Sequence, residues 1–337
     1  MAHIEVGVCP ALTTPVYEKL AELGLLTVVQ FLAYDLEELS SRTRITFREL
    51  LSIRRFFLAQ YSCTLTNGAE LYNSLMSSTA ILSTGCLSLD QLLDGGLYTG
   101  ELTEVVGATT SGKTQICLSA AGTTGHHTEK DVIYLDTSGG FSISRVLQML
   151  GKMDEHCKTS ANVESVLRRI HIEQVYGIFD LFANLERLKT VLIDQTDADY
   201  SSVKLVIVDC VSALFSPMLP LSGRINKMDS IDVQGYAMQL GRALKALAVE
   251  FSIAVLITSA ATHADDGRIK MTFGKLWSSI PHTRLELRRH PNVDKNVGPS
   301  PTVSHITLGK SCRQQTGQFC TIRVDESGLQ LVQSSLS

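Results

Sequence analysis

The fold of this chain is decided by the stretch Leu102-Thr-Glu-Val-Val-Gly107-Ala-Thr-Thr-Ser-Gly112-Lys-Thr-Gln-Ile-Cys-Leu118. The apolar residues before Gly107 predict a buried strand, and the pattern after Gly112 predicts the start of a helix. Between them the spelling is Gly-x-x-x-x-Gly-Lys-Thr, which is typical of a loop that binds the phosphates of a nucleotide. An ordinary glycine-rich turn from strand to helix is the alternative, but the context on both sides favours the motif.

Each residue type in this loop has a chemical role in binding phosphate. Backbone N–H groups turned inward surround an anionic β-phosphate, and the two glycines permit the close approach that this requires. Lys113 supplies a positive charge to the β and γ oxygens, Thr114 offers a hydroxyl to Mg²⁺, and the helix N-terminus adds a positive partial charge. The expected nucleotide-contacting residues are Gly107, Ala108, Thr109, Thr110, Ser111, Gly112, Lys113 and Thr114.

A second motif of a nucleotide site follows in the run Lys204-Leu-Val-Ile-Val-Asp209. Four apolar residues that close on a carboxylate predict a buried strand whose last residue lies beside the phosphate loop. There Asp209 would hold Mg²⁺ through water, together with Thr114. The spelling alone is weak, because an aspartate at a strand end also serves as the N-cap of a following helix.

The composition limits what the chain can do by itself. It has 337 residues, with 30 Lys and Arg against 34 Asp and Glu, and a formal net charge of -4. This balance provides no global attraction to nucleic acid, so any affinity for DNA must come from local loops or from partners. The chain has no run of about 18 apolar residues and no basic-then-apolar leader. We therefore expect a soluble protein that is not secreted and has no membrane partner.

Three regions follow from the pattern of apolar residues. Residues 1–60 have a helical period and predict a small all-helical domain. Residues 61–79 are mostly small and polar, and they predict a linker with one short helix. Residues 80–337 alternate apolar strands with helices, which is typical of a mostly parallel sheet covered on both faces. The predicted fold class is therefore an α/β core preceded by a small helical domain.

Two loops within the core region are candidates for DNA contact. Residues 215–233 and 261–276 lack a steady period, and long loops in compact domains are often functional. Their cationic side chains would meet phosphates and bind single strands weakly, without sequence preference and with strong salt dependence. A merely solvated loop is the alternative, since aspartates dilute the charge and aromatic residues for base stacking are scarce apart from Phe273 and Trp277. The candidate contacts are Arg224, Lys227, Arg268, Lys270 and Lys275.

Four segments of the core carry a family resemblance. They are Ser83-Thr-Gly-Cys-Leu-Ser-Leu-Asp90, Gly100-Glu-Leu-Thr-Glu104, Gly112-Lys-Thr-Gln-Ile-Cys117 and Val206-Ile-Val-Asp209. With these segments the chain resembles the RecA-type recombinases, and among them the eukaryotic strand-exchange branch, over residues 79–325. The segments 67–72 and 8–13 are similar to those of paralogues of that recombinase.

The resemblance implies a RecA-like P-loop NTPase core, ATP and Mg²⁺ as cofactors, and the two loops facing DNA. It implies a heteromeric paralogue complex that promotes or stabilises recombinase loading on single-stranded DNA during homologous recombination repair of breaks and stalled forks. The implied partners are the C paralogue through the N-terminal domain and linker, another paralogue through the core, the recombinase filament and single-stranded DNA. Residence in the nucleus follows from the resemblance alone.

Two departures from the family pattern concern hydrolysis. Active family members have Asp-Thr-Glu-Gly where this chain has Asp136-Thr-Ser138-Gly, and a serine hydroxyl cannot replace a carboxylate as general base. They also have Thr-Asn-Gln, whose glutamine senses the γ-phosphate, where this chain has Thr258-Ser-Ala260. We therefore assign no catalytic residue and expect weak hydrolysis at most, unless a neighbouring subunit completes the site.

Two other functions remain open from the sequence. A self-sufficient DNA-stimulated ATPase or strand-exchange enzyme would need a general base, which Ser138 argues against. A regulatory interaction module, in which ATP only stabilises a subunit interface, needs no hydrolysis and fits both departures.

Overall fold

The computed structural model describes residues 3–61, 67–153, 160–194, 202–218, 227–263, 269–271, 273–289, 302–326 and 328–331. The chain separates into two compact units, residues 1–74 and residues 75–337. The boundaries at residues 60 and 79 that we drew from the sequence remain predictions. No helix of the described residues is long and apolar enough to cross a bilayer.

The N-terminal unit is helical, as the sequence predicts. Its core contains Leu20, Leu39 and Leu50, and the rings of Phe31 and Phe57 pack edge to face with centroids 5.7 Å apart. Such ring pairs stabilise a small core beyond the area that they bury. The helices are α1 (Thr14–Glu22), α2 (Val28–Ala33), α3 (Leu36–Thr43) and α4 (Phe47–Tyr61).

The predicted linker contains a helix, α5 (Gly68–Ser78), none of whose residues is buried. Its first turn is capped by Asn67, whose side-chain oxygen accepts a hydrogen bond from the backbone N–H of Ala69 at 2.8 Å. The helix exposes several large apolar side chains, including Tyr72 (62% exposed) and Met76 (67% exposed).

The second unit is built on one sheet with the strand order β12-β11-β10-β9-β3-β7-β6-β4-β5, and with β8 paired to β7. A separate pair, β1 (Ile81–Leu82) and β2 (Leu97–Tyr98), precedes it. The sheet strands are β3 (Leu102–Gly107), β4 (Asp131–Asp136), β5 (Ile170–Gln174), β6 (Val203–Asp209), β7 (Ala254–His263), β8 (Ile269–Met271), β9 (Thr283–Arg289), β10 (Thr302–Lys310), β11 (Phe319–Asp325) and β12 (Gly328–Leu331).

The six strands from β9 to β5 are mutually parallel, whereas β10, β11 and β12 continue the sheet with antiparallel pairing. Helices and apolar side chains cover the parallel part, so the residues of β3 and β4 are all buried. The mostly parallel α/β core that the sequence predicts is confirmed. The helices are α6 (Leu87–Leu92), α7 (Lys113–His127), α8 (Ile143–Met153), α9 (Ser160–Arg168), α10 (Ile178–Asp194), α11 (Val211–Phe215), α12 (Lys227–Phe251) and α13 (Gly274–Ser278).

Both predicted loops are shorter in the structure than in the sequence analysis. Helix α12 begins at Lys227, because the prolines and the glycine that indicated a loop all precede that residue. Strand β7 continues to His263 and pairs with β8, and α13 follows. Strand β8 has three residues and α13 has five, which are too few to give a periodic signal in the sequence.

The aromatic residues assigned to the second loop are placed differently from our expectation. Phe273 and Trp277 are buried rather than available for base stacking. The Phe273 ring lies 4.8 Å from that of Phe215 and 5.0 Å from that of Trp277, measured between centroids. Both belong to the apolar cluster that includes residues of α12. Burial of their large aromatic surfaces is favourable even though the neighbouring residues in the sequence are mostly polar.

Candidate functional site

The phosphate-sized loop lies between β3 and α7, and its shape requires glycine at both ends. A Cβ at Gly107 would lie 2.8 Å from the carbonyl oxygen of Leu287 and 2.7 Å from Ser111 Oγ, which is closer than real contacts allow. Gly112 is the N-cap of α7 and has φ of 99°, in the region that favours glycine. Thr110 also has a positive φ, 66°. The loop is therefore tightly wound onto the start of the helix.

Lys113 places its ammonium group inside this loop. Its Nζ donates hydrogen bonds to the carbonyl oxygens of Gly107 at 2.9 Å and Ala108 at 2.8 Å. Burial lowers the pKa of Lys113, while the neighbouring Asp209 carboxylate opposes that shift. A cavity of about 320 Å³ adjoins the loop and is lined by Thr110, Gly112, Lys113, Thr114, Gln115 and Val324.

Asp209 ends β6 next to the loop and is 1% exposed. Its carboxylate accepts a hydrogen bond from the Tyr134 hydroxyl at 3.0 Å and another from Thr258 Oγ1. Burial and nearby negative charge raise the pKa of Tyr134 far above its usual value, so this phenol stays a neutral donor. Among the side chains that the structure describes, no cation forms an ion pair with Asp209. A buried carboxylate held only by neutral donors is suited to a metal cation.

The end of β4 carries the position where a general base would be expected. The Asp136 carboxylate accepts hydrogen bonds from the backbone N–H groups of Ser138 and Gly140 at 3.1 Å each, which fixes a tight turn. The turn lies beside Thr114, because a Cβ at Gly140 would be 3.5 Å from Thr114 Cγ2. Ser138 is exposed on this turn. Ser138 follows the end of β4 by two residues, and a hydroxyl there cannot take a proton at neutral pH.

The structure adds Arg145 of α8, which the sequence analysis missed. Its Nε donates to Gln115 Oε1 at 2.8 Å, and its guanidinium donates to the carbonyl oxygens of Asp325 and Glu326. Arg145 thus joins the first turn of α7 to the hairpin of β11 and β12, whose Val324 lines the cavity. A single arginine on an amphipathic helix gives no sequence signal of such a role.

Two further residues near Asp209 were not assigned from the sequence. Tyr134 lies inside an apolar strand, where it resembles any core aromatic residue, and Thr258 was noted only as part of a departure from the family pattern. Both hydroxyls reach the same carboxylate because β4, β6 and β7 are adjacent parallel strands. The sequence indicated only that these strand ends lie next to one another. That does not show which side chains contact Asp209.

Three of the five candidate DNA contacts lie on described elements of the core. Lys227 is the first residue of α12, Lys270 lies in β8 and Lys275 lies in α13. Arg224 and Arg268 lie outside the described residues. Assignment of these five cations to DNA therefore stays a prediction.

Family models and individual proteins that are similar to this chain all belong to one family. The model of the Rad51 family matches residues 76–290, and a model described as RAD51D, N-terminal domain, matches residues 1–60. The chain is 39% identical over 332 residues to DNA repair protein RAD51 homolog 4 of Bos taurus, covering 98% of this chain and 96% of that protein. The protein of the same name from Mus musculus is 39% identical over 321 residues, covering 94% and 93%.

A more distant relative extends the same similarity. The probable DNA repair protein RAD51 homolog 4 of Dictyostelium discoideum is 26% identical over 297 residues, which is 78% of this chain and 81% of that protein. The two family models together match the helical N-terminal unit and most of the sheet that carries the phosphate-sized loop.

Proposed function

Because this chain belongs to the Rad51 family, and within it to the paralogues of the D type, we propose that it is an ATP-binding subunit of a heteromeric paralogue complex in DNA repair. In that complex it promotes or stabilises the loading of recombinase on single-stranded DNA, during homologous recombination repair of breaks and stalled forks. This function places the protein in the nucleus.

Membership of the family implies nucleotide binding, and we assign the nucleotide as ATP with Mg²⁺. Three features support the assignment: the wound loop from Gly107 to Thr114, the ammonium of Lys113 inside it, and the Asp209 carboxylate beside it. The residues fit the cofactor, because Thr114 and Asp209 offer the oxygen ligands that Mg²⁺ prefers. When bound, Mg²⁺ would neutralise phosphate charge.

The observation that carries the proposed function is the combination of a complete phosphate loop with Ser138 at the base position. Binding groups are present, whereas the exposed turn next to Thr114 holds only a hydroxyl. We therefore expect ATP to be bound and to be hydrolysed slowly unless a neighbouring subunit supplies the missing group. A self-sufficient ATPase is disfavoured for the same reason.

Two apolar surfaces support the proposed partner contacts. Helix α5 exposes Leu71, Tyr72, Leu75 and Met76, which recur at the spacing of one helical face and would pack against the C paralogue. In the core, β5 is the last strand of the sheet order, and Ile172 on it is 42% exposed. A cavity of about 210 Å³ beside this edge is lined by apolar residues of β4, β5 and α10 together with polar ones that include the ion-paired Glu173 and Arg187, and would take a segment of the second paralogue.

The proposal is tested by assembling the full chain with its paralogue partners, with and without ATP and Mg²⁺, and measuring nucleotide binding, hydrolysis and single-strand binding. We expect Lys113→Ala to weaken ATP binding by more than tenfold, since the loop loses its cation, and Lys113→Arg to restore part of the charge. Rapid turnover by the isolated wild-type chain, unaffected by partners, would contradict the proposed function.

A matched variant pair separates the repair subunit from the interaction module. If both Lys113 variants keep partner binding and repair function, nucleotide is dispensable for the complex. If partner binding alone fails, ATP acts as a structural component of an interface, which the absence of a base at Ser138 also allows. Tyr72→Ser and Ile172→Ser should each weaken one paralogue contact and leave the other intact.

A further inference from the structure

Glu104 is a fully buried carboxylate that the proposed nucleotide site does not use. It lies in β3, three residues before Gly107, and its side chain is 0% exposed. A charge in this position is unfavourable unless it is paired and fully hydrogen-bonded. The groups that pair with Glu104 therefore show what this carboxylate does in the fold.

Three donors from separate elements satisfy this carboxylate. Arg284 Nε of β9 donates to Oε2 at 2.7 Å, and Trp277 Nε1 of α13 and Ser259 Oγ of β7 each donate to Oε1 at 2.7 Å. The Arg284 side chain is itself only 6% exposed. One carboxylate thus ties the strand that enters the phosphate loop to the middle of β7, to β9 and to α13.

Helix α13 depends on such contacts because it has only five residues. A helix of this length has little stability of its own. Trp277 anchors it to Glu104, and Lys310 Nζ donates to the carbonyl oxygens of Ser278 at 3.0 Å and Ser279 at 2.8 Å at its C-terminal end. The helix includes the last residues of the second candidate loop, 274–276, so its anchors also hold the end of that loop.

An aromatic stack carries the same contact to the first candidate loop. The Trp277 ring packs on Phe273, and Phe273 packs edge to face on Phe215. Phe215 is the last residue of α11, from which the chain leads into the first loop. The bases of both loops are therefore connected to one carboxylate through two ring contacts and one hydrogen bond.

We propose that Glu104 is a positioning residue which, through Trp277, Phe273 and Phe215, holds the bases of both candidate DNA loops in fixed geometry relative to the strand of the phosphate loop. The inference rests on the proposed function for the part that concerns DNA. The contacts that link Glu104 to Trp277, Phe273 and Phe215 are tested separately from DNA binding.

The first test uses hydrogen–deuterium exchange on the full chain. Trp277→Phe keeps a ring against Phe273 but removes the donor to Glu104. We expect backbone amides in 273–280 and in 211–218 to exchange at least threefold faster, with 113–127 and 14–61 unchanged. Leu276→Ala is the matched control, because Leu276 is an exposed residue of the same helix and should leave both segments unchanged.

A second variant tests the carboxylate without leaving a buried cation unpaired. Glu104→Met combined with Arg284→Met removes both charges and the acceptor of the Trp277 hydrogen bond, and should give the same exchange pattern as Trp277→Phe. Faster exchange that stays within 273–280, or a uniform increase over the whole core, would overturn the proposal.

The DNA part is read from binding of a fluorescent oligo(dT) strand to the same proteins. We expect both variants to bind the strand at least threefold more weakly, with ATP affinity within twofold of wild type. Unchanged strand affinity in variants with altered exchange would overturn the positioning of DNA contacts by Glu104. Failure of the wild-type complex to bind the strand would instead contradict the proposed function, while the exchange pattern still decides the geometric claim.

Discussion

Glu104 and Asp209 are two buried carboxylates in one sheet, and they differ in what balances their charge. Glu104 has the guanidinium of Arg284 at 2.7 Å, whereas Asp209 is held by the neutral hydroxyls of Tyr134 and Thr258. A carboxylate that has its own cation is complete within the fold. One that has only neutral donors retains charge for a cation from outside, which is what a Mg²⁺ site requires.

Strand β7 serves both carboxylates with two successive residues. Thr258 donates to Asp209 and Ser259 donates to Glu104, because neighbouring side chains of a strand point to opposite faces of the sheet. The two residues belong to the segment in which this chain departs from the family pattern. The segment thus connects a charged ligand position on one face with a structural ion pair on the other.

The largest effect is expected when the structural pair is broken. Glu104→Gln leaves the Arg284 guanidinium buried without a counter-ion, so the free energy of unfolding should fall by about 3–5 kcal/mol. Urea unfolding of the full chain measures it. The double variant with Arg284→Met should recover most of the loss. If the single variant is no less stable than the double, Glu104 and Arg284 are not coupled.

Asp209→Asn, unlike Glu104→Gln, should have little effect on the stability of the chain without nucleotide. It removes a buried charge that has no ion-pair partner among the described side chains, so unfolding without nucleotide should change by less than about 1 kcal/mol. With ATP and Mg²⁺ at about 100 times the dissociation constant, wild type should gain about 2.7 kcal/mol and the variant much less. The measurement is urea unfolding with and without ATP and Mg²⁺. An equal gain in both proteins would place the metal elsewhere.

Substitutions of the two β7 residues give a more selective test. Thr258→Val and Ser259→Ala each remove one hydrogen bond to a buried carboxylate, and each should cost about 1.5–3 kcal/mol of unfolding free energy. Only Thr258→Val should also weaken the Mg²⁺ dependence of nucleotide binding, measured by titration with a fluorescent ATP analogue. Equal effects of both on that dependence would remove the distinction between the two faces.

The smallest effect concerns a neutral acceptor at the start of β3. His282 Nδ1 accepts a hydrogen bond from the backbone N–H of Leu102 at 2.9 Å, which requires that nitrogen to be unprotonated. Burial lowers the pKa of His282 below 6.5 in the folded chain. The unfolded chain therefore binds the proton more readily, and stability should be fully present above pH 6.5 and decrease as pH falls through the folded pKa.

Urea unfolding between about pH 8 and about pH 5 checks this sign. His282→Gln should flatten this part of the pH profile. A wild-type stability that rises on acidification through the same interval would show that the imidazole gains a stabilising partner when protonated.

Much of the fold was predictable because its signals are local and continuous. The apolar run before Gly107 and the run closing on Asp209 can each be buried only as central strands, and the phosphate loop between strand and helix has few alternatives. The position of Ser138 followed from the resemblance to the family, in which the second strand ends in a similar pattern. These features depend on neighbours in sequence, which a pattern records.

The parts that the sequence missed depend on contacts between distant residues. A lone Glu104 in an apolar strand gives no indication of Arg284, which follows 180 residues later. Trp277 was read as a loop aromatic, since nothing nearby indicates that its indole reaches a carboxylate. Arg145 is similar, because its partners come from the first turn of α7 and from the last hairpin.

That last hairpin has a consequence for shortened forms of the protein. Val324 lies beside Gly112 of the phosphate loop, since a Cβ placed on that glycine would be 3.5 Å from Val324 Cγ2. The turn that follows Val324 accepts hydrogen bonds from Arg145. A premature stop before Phe319 would remove two outer strands together with one wall of the cavity. Truncated alleles would then lose nucleotide binding although every codon of the phosphate loop is intact.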